Sequence, residues 1–463
     1  MKQLIFDPLV FSLIVTVTLI YIFILFHFSN KNKAFSANLE KIFIIIFILT
    51  ISGITLFPFH KFNPKNLYIS STSFGTIALQ LGFYFSIIFI LLSRVRSTLK
   101  DLVSNLATII SNNPALFLFI LTVALSASWS ETPTSAFRAS CVLLGTTAIC
   151  FYIAKRHDWA SLSNLLRISY GIIAILSVFL QNQSDKGWSG VLSHPIYLGT
   201  LMALNIALWY DYAERKPKYR LLAIGVSVLS LVIMQFANST GGFCTFLVLI
   251  ILLISMRFIR KLSFKWALLV ILAFLGISIF ATIFVMENYV DILASFGKDA
   301  TLTGRTDIWA IVIEKIKERP VLGYGYHGFW KPGLGEDNPA YGLVIAKTGY
   351  QPAHPHNGFL QLGLDFGLIG LSLFFLSLLT TLTQAVLYMS RSKKPESVIP
   401  ILLLMYCVMA NISDTQLLEP NHIWLYYILA SVKLSLDLKQ QGLIGHQQLQ
   451  ESFTYGQGVP RTR

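Results

Sequence analysis

An all-α, polytopic membrane bundle of about 12 to 13 helices is the fold this sequence predicts, and three observations predict it. Apolar residues make up 54% of the chain and charged ones only 13%, against about 25% charged in ordinary soluble domains. The apolar residues fall in blocks of about 15 to 24, long enough for helices to cross a hydrocarbon core of about 30 Å. Only helices satisfy their own backbone one segment at a time in lipid, so the bundle is helical.

Taken in order, the blocks place spans near residues 9–26, 42–59, 74–93, 115–130, 137–154, 166–181, 195–210, 220–236, 242–256, 266–285, 366–389, 397–411 and 421–436. The short pair on either side of Asn238-Ser239-Thr240-Gly241-Gly242 decides the topology downstream, since losing one member inverts everything after it. The first block is read as a helix and not a cleaved signal peptide, because more positive charge follows it than precedes it.

Loop charge orients the bundle, because short cytoplasmic loops collect Lys and Arg. One set of alternate loops holds twenty of them, among them Arg94, Arg96, Lys155, Arg156, Arg215, Lys216, Lys218, Arg260, Lys261, Arg391 and Lys394. The other short loops, with the N-terminus, hold five: Lys2, Lys61, Lys65, Arg138 and Lys186. The net charge of +14 therefore reads as membrane topology, and no nucleic-acid partner is expected. Four parts follow: a transmembrane bundle over 1–285, a large extracytoplasmic loop over 286–356, further transmembrane helices over 357–436, and a disordered cytoplasmic tail over 437–463.

Cys141, Cys150, Cys244 and Cys407 all fall inside predicted spans without paired spacing, so they read as small buried hydrophobes. No Walker loop, dinucleotide fingerprint or HExxH helix occurs, and no cofactor is expected. Energy for any reaction then comes from the substrate or from a gradient.

Polar chemistry concentrates in the 286–356 loop, where function in a membrane protein is to be sought. Ile308, Trp309, Val312, Ile313 and Ile316 recur at helical spacing over Thr306–Arg319, and Pro320 stops the run. The spacing predicts an amphipathic helix lying on the membrane surface, apolar stripe down. Arg305 stands just before its first turn, where backbone N–H groups favour an anion. It either shares such an anion or pairs on the surface with Asp307 or Glu314. The glycines and aromatics of 321–330, with Tyr324, Tyr326 and Trp330, suit either a sugar platform or an interfacial anchor. His354-Pro355-His356-Asn357 stands at the mouth of the next helix, and histidine can accept a proton at neutral pH. Two histidines one residue apart could also chelate a metal, but no third ligand is visible in the sequence, and no metal site is expected.

In combination these residues resemble a family. Gly304-Arg305-Thr306-Asp307-Ile308-Trp309, Glu318-Arg319-Pro320-Val321-Leu322-Gly323-Tyr324-Gly325, His356-Asn357-Gly358-Phe359-Leu360 and Gly367-Leu368-Ile369-Gly370 look like the O-antigen ligase and polymerase (Wzy-type) family. Gly328-Phe329-Trp330, and upstream Ser128-Trp129-Ser130 with Pro133 and Arg138, look more like its exopolysaccharide-polymerase branch.

The resemblance implies a metal-independent glycosyltransferase of the bacterial inner membrane, working on its outer leaflet. Its donor would be an undecaprenyl-diphosphate-linked oligosaccharide, its acceptor a glycan or a lipid A core, and its partners the polysaccharide export and chain-length machinery. The family's catalytic histidine falls on His356 and a diphosphate-binding arginine on Arg305. A second such arginine usually lies in a Ser-Arg pair where this chain reads Ser239-Thr240, which leaves Arg138 or His194 to supply the charge. His354, Asn357, Tyr324, Tyr326 and Trp330 are the remaining candidate substrate contacts, and Asp365 stands near the same mouth. Two other classes, a secondary transporter and a flippase for the same lipid-linked sugar, would share the membrane setting without the chemistry.

Overall fold

The computed structural model describes residues 32–55, 95–180, 183–184, 187–288, 305–330, 340, 354–392 and 394–456. In chain order its helices are α1 (Lys33–Ile51), α2 (Val95–Asn112), α3 (Pro114–Leu125), α4 (Pro133–Arg156), α5 (Trp159–Phe179), α6 (Pro195–Arg215), α7 (Arg220–Phe236), α8 (Thr240–Ile259), α9 (Phe264–Glu287), α10 (Arg305–Glu318), α11 (Gly358–Arg391), α12 (Ile399–Ser413) and α13 (His422–Gly456). The strands among the described residues are a two-residue antiparallel pair, β1 (Gln183–Ser184) and β2 (Gly187–Trp188).

The chain is an all-α, multi-pass membrane protein. Six described helices are long and apolar enough to cross a membrane, or seven if one bent pair counts as a span. That is fewer than the spans read from the sequence. Helices α6, α8 and α13 occupy three more of the expected positions, while 9–26 and 74–93 lie outside the described residues. Leu221, Phe236, Trp266, Ile277 and Phe280 stand exposed on α7 and α9, more than half of each accessible. Such apolar rows suit lipid and would be a liability in water. The pair that decides the topology is two helices: Asn238 turns the chain with φ +48° and Ser239 caps α8 by accepting from Gly242 N at 3.1 Å.

The expected 115–130 span is instead the second arm of a bent pair, Leu106–Asn112 and Pro114–Ser128, meeting at 118°. Pro114 cannot continue a helix, having no N–H to donate. Asn113 seals the break: its Oδ1 accepts from Leu116 N at 3.1 Å while its Nδ2 donates to Ser377 O and Thr381 Oγ1 on α11.

Helix α11 is broken at Gly367, whose φ of 60° and ψ of −156° suit glycine alone. A Cβ there would meet Pro320 O at 2.6 Å. The freed backbone groups bond to the 320–325 loop. Tyr324 N and Gly325 N donate to Leu364 O and Asp365 O at 2.7 and 2.9 Å, and Leu368 N donates to Pro320 O at 2.7 Å. Loop and broken helix thus interlock, each satisfying the other's backbone.

Two expectations fail here. The apolar stripe of α10 does not face lipid: Ile308 and Val312 are buried in a cluster with Tyr324, Phe329 and Leu364. An amphipathic stripe serves protein as well as membrane, and α11 offers the partner. Residues 437–456, expected as the start of a disordered tail, instead continue α13 to Gly456. Their Lys, Gln, Leu and Glu content favours helix.

Candidate functional site

Four helix ends meet beneath the histidines. A Cβ on Gly241 at the start of α8 would lie 2.6 Å from Ser413 Cβ on α12, and one on Gly358 would strike the Asn411 side chain. Only glycine permits these approaches, which bring α8 and α11 against the end of α12. Asn357 then caps α11, its Oδ1 accepting from Phe359 N at 2.9 Å and Leu360 N at 3.2 Å. Asn357 N donates to Thr415 Oγ1 at 3.2 Å, and Trp309 Nε1 on α10 donates to Pro355 O at 2.9 Å. The histidine turn is held from three sides.

Asp414, one residue past α12, lies at the centre. It is 2% exposed, and its Oδ1 accepts from Thr415 N at 2.8 Å. The same oxygen stands 3.3 Å from His356 Nδ1 and 3.6 Å from His354 Nδ1. Burial pushes this carboxyl up, but the His356 hydrogen bond and the charges of both imidazoles outweigh it and hold it down at about 2. Asp414 is therefore an anion at neutral pH.

The two histidines differ chemically. With Asp414 fixing the proton on His356 Nδ1, Nε2 keeps its lone pair and can accept a proton. His354 Nδ1 instead accepts from His356 N at 3.3 Å, so a neutral His354 carries its proton on Nε2 and has no second lone pair to offer. His356 also holds a left-handed backbone, φ +51°, a strained state that the surrounding contacts maintain.

Arg305 begins α10. Burial depresses its guanidinium pKa and the Asp414 carboxylate opposes that shift, which puts the two residues in one electrostatic neighbourhood. Glu314, one of its expected surface partners, pairs with Lys317 at 2.7 Å instead.

The other expected site residues divide. Tyr324 is buried, its hydroxyl shares its one proton between Lys315 O and Glu318 Oε2, and its ring packs edge-on to Phe329. Tyr326 is 1% exposed, and its hydroxyl donates to Leu418 O. Both rings serve the core and offer no open face to a sugar, because their alternation with glycine turns them inward against α11. Trp330 is half-buried and donates to Gln361 Oε1 at 2.8 Å. Trp129 of the upstream motif donates to Leu322 O at 3.0 Å, so the two aromatic motifs form one structure. Asp365 is buried and accepts from Gln361 Nε2, a bond within α11. His194 caps α6, accepting from Ile196 N, and packs near Tyr197, whose hydroxyl faces the carboxylates of Asp414 and Glu419. Arg138 is exposed on α4 and makes no ion pair with the histidine cluster among the described residues.

Asp414, Glu419 and Tyr197 were missed by sequence reasoning. The signal for the first two was present: they are the acidic residues of the short loop between the last two spans, on the same membrane face as the histidines. Asp414 also supplies the third donor that the sequence did not reveal. Donor atoms of His354, His356 and Asp414 lie within 4.8 Å of one another, close enough to hold a metal ion as well as a proton.

Residues 225–375 match the O-antigen ligase family. The match is confined to that segment. It contains Arg305 and His356, while Asp414 lies beyond it. The exopolysaccharide production protein ExoQ of Rhizobium meliloti is 27% identical over 304 residues, covering 61% of this chain and 68% of that protein. A Rickettsia conorii protein named as a candidate polysaccharide ligase is 31% identical over 218 residues, 44% of this chain and 51% of its own length. One from Rickettsia felis is 29% identical over 235 residues, 49% and 50%. The chain thus spans about half the length of these two Rickettsia relatives. These relatives carry names drawn from polysaccharide production and ligation.

Proposed function

We propose that this protein is a polysaccharide polymerase of the bacterial inner membrane, transferring oligosaccharide units from an undecaprenyl-diphosphate carrier. The observation that carries this is the His356–Asp414 pair standing in the electrostatic neighbourhood of the desolvated Arg305. The diphosphate is already a good leaving group, so the protein must orient the acceptor, remove its proton and stabilise charge growing on the phosphates.

In the step itself, His356 Nε2 takes the proton of the acceptor hydroxyl as that oxygen bonds to the anomeric carbon of the donor sugar. The bond from that carbon to the phosphate oxygen breaks, and undecaprenyl diphosphate leaves with both electrons. A positioned base of this kind contributes roughly 10²- to 10⁴-fold. Asp414 holds the tautomer and balances the imidazolium that forms. Arg305 grips the diphosphate with two parallel hydrogen bonds, and His194, a neutral α6 cap beside Tyr197, is better placed than Arg138 to donate a further hydrogen bond through Nε2. The Asp414 oxygen already accepts from His356 Nδ1 and Thr415 N, which supports proton transfer over metal binding.

The large loop and the histidine cluster lie outside the cytoplasm in this reading, and the Lys- and Arg-rich loops and the C-terminus inside. The division into a first bundle, a large loop and further transmembrane helices goes with it, as do export and chain-length proteins as partners. The names of the Rickettsia relatives favour a second reading, transfer of finished glycan to a lipid A core. Purified protein in detergent, given lipid-linked oligosaccharide extracted from a strain lacking this gene, should release undecaprenyl diphosphate and build longer glycan. Absence of turnover, with transport recovered in sealed vesicles, would make the protein a carrier.

A further inference from the structure

A second histidine and carboxylate pair stands beside the first. His327 Nε2 lies 3.7 Å from Glu419 Oε1, with 22% and 13% of the two side chains accessible. The separation exceeds hydrogen-bond length, and the two form an ion pair only when His327 is protonated. Glu419 and Asp414 belong to one short loop, and the Tyr197 hydroxyl faces both carboxylates. Tyr326 ties the His327 loop to that acidic loop through its bond to Leu418 O.

The backbone marks the same place. Four described non-glycine residues have positive φ: Asn238 at the α8 cap, His327 at 52°, His356 at 51° and Leu418 at 64°. The last three belong to these two pairs or join them. Strained backbone persists only where its surroundings enforce it, and it gathers at binding and catalytic positions. The interlocked loop and broken α11 supply that enforcement around His327.

We propose that His327 and Glu419 bind the hydroxyl groups of the acceptor sugar ring, whose attacking hydroxyl is held at His356. The proposal rests on the glycosyl transfer described above. A neutral sugar presents several O–H donors on one ring. A carboxylate accepts two of them at once, and an imidazole both donates and accepts. Arg305 meets the diphosphate at the donor end, so a pair without a guanidinium suits the uncharged end of the reaction. The acceptor ring then spans the two pairs, with the Tyr197 hydroxyl in the field of both carboxylates.

The test uses the full-length protein in detergent with purified lipid-linked oligosaccharide as donor and, as acceptor, the free oligosaccharide released from the same lipid by mild acid. Glu419→Gln should raise the acceptor concentration giving half-maximal rate by about tenfold or more, as expected for a lost hydrogen bond to a charged group, and shift the donor's far less. His327→Gln should act in the same direction and stands in if Glu419→Gln fails to accumulate in the membrane. Unaltered acceptor dependence in both variants, while His356→Ala remains inactive, overturns this proposal alone. Full activity in His356→Ala overturns it together with the mechanism it rests on.

Discussion

Replacing Asp414 with Asn changes one atom's chemistry at the centre of the site. The amide keeps the carboxylate's shape and its oxygen still accepts from Thr415 N, but no anion now faces His356 Nδ1 to balance the imidazolium that forms when Nε2 takes the acceptor's proton. Turnover of lipid-linked donor should therefore fall by roughly the whole contribution of the base, about 10²- to 10⁴-fold. Stability should change as well. Asp414 is held at about 2 against an ordinary value of 3.8, a depression of roughly two units, which corresponds to about 2 kcal/mol at neutral pH. A depressed carboxyl stabilises the fold above its unfolded value and loses that contribution as pH falls through the folded one. Thermal melts in detergent should show Asp414→Asn less stable than wild type at pH 7, with the gap closing between about pH 4 and pH 2. Wild-type turnover in the variant, or a gap that persists unchanged at pH 2, would refute the assignment of Asp414 as the anion orienting His356.

Other expectations concern the surroundings of that pair. Arg305→Lys keeps a charge without the two-pronged geometry and should lose much of the turnover, while Arg305→Ala should lose about 2.7–4 kcal/mol of transition-state stabilisation; wild-type rates in both would reduce Arg305 to a packing residue. Gly367→Ala forces a Cβ to 2.6 Å from Pro320 O and should destabilise by about 1–3 kcal/mol from the backbone alone; an unshifted melting temperature would show that the break in α11 relaxes freely. Dialysis against EDTA should leave turnover intact, and activity restored only by an added divalent cation would turn His354, His356 and Asp414 into a metal site.

Much of the fold was legible because lipid imposes a simple rule on sequence, long apolar blocks separated by charge. The α7 and α8 pair was legible as two short apolar blocks split by the polar segment Asn238-Ser239-Thr240-Gly241-Gly242. The bend at Asn113 was not, because an apolar block does not show which helix packs across a proline. Spacing alone drew attention to Arg305 and to His356. It could not supply Asp414, which lies 58 residues beyond His356 in the chain and reaches it only because Gly241 and Gly358 let the helix ends close. Tyr324 and Tyr326 were misplaced for a related reason: alternation with glycine says that a ring is near a turn, not which way it faces. The stripe on α10 likewise fixes a buried side without saying whether lipid or α11 covers it.

Single-turnover release of undecaprenyl diphosphate from purified lipid-linked oligosaccharide, compared between His356→Ala and His354→Ala at matched protein levels, tests proton transfer by His356 most directly. His356→Ala should fall by about 10²-fold or more, with His354→Ala retaining most of the wild-type rate. Equal rates in the two variants, or a slower His354→Ala, would contradict it.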